Sequence, residues 1–209
     1  MDDAPTRILG VDPGSRIMGI AILEISEDGL YYSWKEIKSI KVSGPSFAER
    51  LYSVEIEVRR VLCQYNPVII AWEAPFYSVG TRNANVTIQL GKVVGIIEHQ
   101  LPSCPWIESG YECQPSSSRK AIGAGNGNYF LLREILAREF PEKARDLWEG
   151  VDRDREHKKQ PKSKIGCDAV SAMVQAYAIA CTKEMDFKGI DRVYGQVKSE
   201  SRSSLAAPR

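Results

Sequence analysis

Two apolar runs, RILGVD and IMGIAILEI, lie between positions 7 and 25 with only PGSR between them. A parallel crossover needs a dozen or more residues, so a connection this short can join only antiparallel neighbours. Neither run alternates polar with apolar residues, so both faces of the hairpin must be covered by other elements. The first run stops on an acid, Asp12. A buried strand that ends on a carboxylate needs either a turn for that group to cap or a partner for its charge.

The chain continues in the same manner. After the SEDG turn at 26–29, residues 30–42 alternate well enough for a third antiparallel strand. Ser46 followed by Glu49 forms a capping box. Phe47, Leu51, Val54, Val58, Val61 and Leu62 then lie on one helical face, which Asn66 and Pro67 end. Residues 67–73, PVIIAWE, have the β-branched content of a central strand and again finish on a carboxylate, Glu73. A long helix spans 81–101 and closes at Pro102, and residues 104–115 supply a fifth strand. The glycine-rich IGAGNGN at 122–128 leads into a helix over 129–140, and a last helix runs over 166–183. The expected fold class is α/β, a mixed five-stranded sheet with its first three strands antiparallel and helices on both faces.

No composition break divides the 209 residues, so one domain is expected over 1–184, with a basic loop at about 150–165 and a flexible, polar tail over 185–209. Five cysteines, odd in number and without C-x-x-C spacing, read as reduced thiols and argue against a zinc site. No signal region and no run of 18 apolar residues is present, so the expectation is a cytoplasmic protein without membrane contact. The net charge is +1, yet RDREHKKQPKSK at 153–164 holds six Lys or Arg against two acids. Such a run is either a solvated loop or a phosphate-binding segment.

Three acids stand where burial is costly: Asp12 and Glu73 at strand ends, and Asp168 in the first turn of the last helix. If the two strands are neighbours, these groups converge on a crevice where a shared cation could bind. Separately, each also has an ordinary explanation: a turn cap, an ion pair, or a helix N-terminus that favours negative charge.

ILGVDPGSRIMGIAIL, IIAWEAPF, QLGKVVG, KAIGAGNG and CDAVSAMVQAYA occur in this order. Together they resemble the RuvC-type Holliday junction resolvases of the ribonuclease H-like superfamily, over roughly residues 7–182. The resemblance implies a ribonuclease H-like fold and a structure-specific endodeoxyribonuclease that resolves four-way DNA junctions by paired symmetric nicks. The alternative is a catalytically silent branched-DNA binder or scaffold of the same fold. The resemblance implies Asp12, Glu73 and Asp168 as catalytic residues and as ligands of Mg²⁺ or Mn²⁺, two per active site. Phe76 is implied as the aromatic that stacks at the junction centre, with Tyr77 as a nearby substitute. Arg119 and Lys120 match the basic pair before the glycine turn. Lys158, Lys159 and Lys164 of the basic loop are further candidate DNA contacts, and His157 is a weaker candidate in the same loop. A homodimer is implied, through the helix carrying Ile88, Val93, Gly95 and Ile96. No nucleotide cofactor is expected, because the chain is too short for the two domains that enclose a nucleotide in the ATPases sharing a D-x-G start. Two positions depart from the pattern: Ile165 stands where a further acid or histidine belongs, and Asn128, Tyr129 and Phe130 occupy the region where a lysine is usual. These departures, with the basic loop, suggest a phage-type or otherwise divergent member of the family.

Overall fold

The computed structural model describes residues 5–29, 31–75, 84–125, 127–148, 165–182 and 190–195. The hairpin forms as its short turn requires: β1 (Thr6–Asp12) pairs antiparallel with β2 (Ile17–Ile25), Asp12 lying opposite Gly19. β3 (Tyr32–Lys41) adds to β2, with one irregularity between Ile22 and Leu23. α1 (Phe47–Tyr65) begins in the expected capping box and ends on Asn66, which takes the left-handed conformation at φ 44°. β4 (Ile69–Glu73) then lies parallel to β1, and α2 (Ala84–Gln100) leads by a single 3-10 turn toward β5 (Ser109–Cys113), parallel to β4.

The second half packs α3 (Pro115–Ala121), α4 (Tyr129–Glu139), α5 (Ala144–Trp148) and α6 (Cys167–Cys181) before the last strand, β6 (Ile190–Gly195). The sheet order is β3-β2-β1-β4-β5-β6. The sixth strand corrects the expectation of five: residues 190–195, taken from sequence as tail, pair antiparallel with β5. The helices α3 and α5 were likewise not anticipated, and the fifth strand is shorter than expected.

Strand alternation divides the core between the two faces of the sheet. Leu9, Val11, Ile20, Ile22, Ile70 and Trp72 face α1 and α2, while Ile8, Ala21, Leu23 and Ala71 face α6 and its neighbours. Burying each large side chain of this kind contributes about 1.5–3 kcal/mol. α6 is buried on nearly every side and lies directly on the sheet. A Cβ on Gly10 would stand 2.0 Å from the Ala172 carbonyl oxygen, and one on Gly19 would stand 2.0 Å from that of Asp168. Two bare strand positions therefore let the α6 backbone settle against β1 and β2, and Gly19 fixes the height of its first turn.

Candidate active site

Period-two alternation puts Ile8, Gly10 and Asp12 on the α6 side of β1, and Ile69, Ala71 and Glu73 on the same side of β4. Val11 is registered with Trp72, so the next residues, Asp12 and Glu73, end their strands side by side. α6 lies across these ends. Its N-cap is Gly166, and Asp168 falls in its first turn. The fold thus brings together the three acids singled out from the sequence.

The electrostatics of the three acids follows from that placement. Burial, then the charges of Glu73 and Asp168, push the Asp12 carboxyl up to about 8, against opposing effects of a Ser171 hydrogen bond and the Arg119 charge. Burial also raises Glu73, opposed by Arg119 and by a hydrogen bond from Gln175. Burial raises Asp168 as well. Among the described residues, no three His, Cys, Asp or Glu are close enough to share an ion as they stand. The three acids face a common region without closing into such a cluster. The donor set itself suits a hard divalent cation: it is all oxygen, and burial makes its charge costly until a cation offsets it.

Four polar side chains support the acids directly or through a neighbour, and the sequence reading assigned none of them a role at the site. Gln175 Nε2 donates to Glu73 Oε2 at 3.2 Å, and Ser118 Oγ donates to Gln175 Oε1 at 2.6 Å. Ser171 bonds Asp12, and the Tyr129 hydroxyl lies 3.1 Å from Ser171 Oγ. The signal was present in CDAVSAMVQAYAIAC. Asp168, Ser171 and Gln175 are spaced i, i+3 and i+7, so they form one polar stripe on a helix otherwise apolar all round.

The remaining candidates are placed differently. Arg119 is half-buried, opposes the shifts of both Asp12 and Glu73, and lies 5.7 Å from the Tyr129 ring centroid. Lys120 is exposed at the end of α3. Ile165 precedes the helix and is 5% exposed within the α6-side core, so it does not share the polar stripe. Arg133 is fully buried beside it and donates from Nη2 to the Ile165 carbonyl at 3.1 Å. Phe76, Tyr77, His157, Lys158, Lys159 and Lys164 lie outside the described residues. On α2, Ile88 and Gly95 are exposed and Ile96 is half-buried, but Val93 is fully buried against the sheet, which removes it from the expected dimer surface.

A sheet whose first three strands run antiparallel, with acids at the ends of β1 and β4 and a third on the helix crossing them, defines a protein of the ribonuclease H-like class. The structure of Thermus thermophilus RuvC in complex with a Holliday junction substrate is similar, with TM-score 0.62 and 17% identity over 90% of this chain and 99% of that one. A family model for crossover junction endodeoxyribonuclease RuvC matches residues 8–128. The chain belongs to that family. Crossover junction endodeoxyribonuclease RuvC of Xylella fastidiosa is 32% identical over 91 residues, 44% of this chain and 51% of the relative. That of Hahella chejuensis is 28% identical over 134 residues, 62% and 72% of the two chains. The chain thus spans about half the length of the first of these relatives. Asp12, Glu73, Arg119 and Lys120 fall within the matched 8–128, whereas Asp168 and Tyr129 lie beyond it.

Proposed function

We propose that this protein is a crossover junction endodeoxyribonuclease that nicks four-way DNA junctions in two symmetry-related strands. The observation that carries the reading is the convergence of Asp12, Glu73 and Asp168 at adjoining strand and helix ends, with the Arg119 cation facing them. Asp12, Glu73 and Asp168 would hold Mg²⁺ or Mn²⁺, two ions per site. Ions held there would supply activation of water and stabilisation of the leaving oxygen in phosphodiester hydrolysis.

The chain's own groups do the rest. Ser171 and Gln175 fix the orientation of Asp12 and Glu73. Arg119 would bind a phosphate at the scissile bond, and exposed Lys120 a neighbouring one. Phe76 or Tyr77 is assigned to stacking at the junction centre, and Lys158, Lys159 and Lys164 to flanking phosphates. Two equivalent cuts across a two-fold substrate call for two sites related by the same operator, hence a homodimer.

A labelled synthetic four-way junction incubated with the protein tests this. Paired nicks are expected with Mg²⁺ or Mn²⁺ and none with EDTA. Asp168→Asn should bind the junction as the wild type does and fail to nick it. Junction binding by the wild type without nicking under either cation would instead establish the silent binder.

A further inference from the structure

The glycine-rich turn ends on Asn128, which caps α4 by accepting a hydrogen bond from Leu131 N at 3.1 Å. The cap places Tyr129 in the first turn of α4, and its half-buried side chain reaches across to α6. Ser171 there is already committed, since it hydrogen-bonds the Asp12 carboxylate. In its ionised form the Asp12 carboxylate only accepts, so Ser171 then donates its single hydrogen to it. Toward Tyr129 it can then only accept, and the phenol donates across the 3.1 Å separation. The same ring has the Arg119 guanidinium 5.7 Å from its centroid, a cation–π distance, and Arg119 also reaches the Gly127 carbonyl at 3.5 Å. One residue therefore touches the support of Asp12 and the cation that faces both acids. A phenylalanine would fill the same space, but the hydroxyl would be lost and with it the bond to Ser171.

We propose that Tyr129 is a positioning residue for phosphodiester cleavage, its hydroxyl steadying Asp12 through Ser171 and its ring holding Arg119 toward the carboxylates. The proposal rests on the nuclease reading above. It also accounts for a departure in the sequence: where a lysine is usual, this chain places an aromatic that secures a cation contributed by α3.

The test compares Tyr129→Phe, Ser171→Ala, the double variant and Tyr129→Leu with the wild type. Losing the outer partner of a metal-binding side chain typically costs 10–100-fold in affinity or activity. Tyr129→Phe should therefore slow single-turnover junction cleavage about 10-fold. It should weaken Mn²⁺ binding measured calorimetrically without DNA, and leave the junction Kd and melting temperature unchanged. The double variant should be no worse than Ser171→Ala, because both break one chain of hydrogen bonds. Tyr129→Leu should lose junction affinity as well, through Arg119. Wild-type Mn²⁺ affinity in Tyr129→Phe, or losses that multiply in the double variant, would overturn the proposal. If the wild type itself cleaves nothing, the nuclease reading fails, while the calorimetric comparison still decides whether Tyr129 steadies Asp12.

Discussion

Replacing Asp12 by Asn removes a charge from the place where the fold tolerates it least. In the folded chain this carboxyl is raised from its ordinary 3.8 to about 8 by burial and by the charges of Glu73 and Asp168. Between those values the folded state holds the proton more tightly than the unfolded chain does, so stability falls as pH rises through the window and is fully retained below it. Asparagine has no such dependence. In metal-free buffer at pH 8, Asp12→Asn should melt above the wild type by roughly 3 °C or more, the shift expected for about 1 kcal/mol in a chain of this size. The difference should vanish near pH 4. Adding Mg²⁺ at pH 8 should raise the wild-type melting temperature and barely move the variant's, because the cation offsets the charge that asparagine lacks. The variant should also bind junctions without nicking them. Coincident melting curves at pH 8 would show that Asp12 ionises there at no cost and that the acids do not form a strained site.

At the scale of elements, the site depends on how closely α6 approaches the sheet, and that is decided by Gly10 and Gly19. Alanine at position 19 would bring its Cβ to 2.0 Å from the Asp168 carbonyl oxygen, so the first turn of α6 must lift. Overpacking of this kind costs about 1–3 kcal/mol. Gly19→Ala should lower the melting temperature by roughly 3–10 °C and abolish most cleavage. Gly10→Ala, which strikes a full turn further along at Ala172, should cost similar stability with a smaller loss of activity measured in single turnover. The same elements show what a sequence can and cannot disclose. The hairpin, β4 and α1 were legible because their signals are local: a four-residue connection, a β-branched run, a capping box closed by Asn66. The places of Asp12 and Glu73 were legible because an acid that ends an apolar run is conspicuous, and that of Asp168 because it opens one. α3 was not, since PSSSRKA is rich in serine, which favours caps and turns over helix interiors. Its helix is secured from outside, by the Ser118 contact to Gln175. β6 was not legible either, because its gain is backbone pairing along the edge of β5, and no pattern within the segment records that edge. Ser171 and Gln175 escaped notice as ordinary polar residues, although their spacing from Asp168 marked a stripe. Tyr129 stood in the sequence only as one of the residues in place of a lysine, and nothing local to it marked the contact with Ser171.

For the whole molecule, the proposed paired incision requires two copies, and α2 is the surface on which the structure allows that to be tested cleanly. Ile88 is 56% exposed, and a Cβ on Gly91 or Gly95 meets nothing within 4 Å. Ile88, Gly91 and Gly95 follow one another at spacings of three and four, so they lie along one face of the helix. Val93 and Ile97, fully buried, hold the opposite face against the sheet. Among the described residues, substitutions on the outer stripe therefore meet nothing inside one copy, and a loss they cause in self-association with an unchanged melting profile reports a contact between copies. Ile88→Arg and Gly95→Arg should keep the wild-type melting profile at low protein concentration and shift sedimentation equilibrium from dimer to monomer. Their effect on DNA should be qualitative as well. A dimer seated on a cruciform in supercoiled plasmid makes both cuts within one encounter and yields linear product, whereas a monomer that still carries Asp12, Glu73 and Asp168 makes one cut, and the relaxed plasmid then reabsorbs the cruciform before a second. The arginine variants should accordingly accumulate nicked circles in place of linear plasmid. Linear product at the wild-type rate from a variant shown to be monomeric would mean that the two cuts need no second copy, and that the stripe on α2 is an ordinary solvent face.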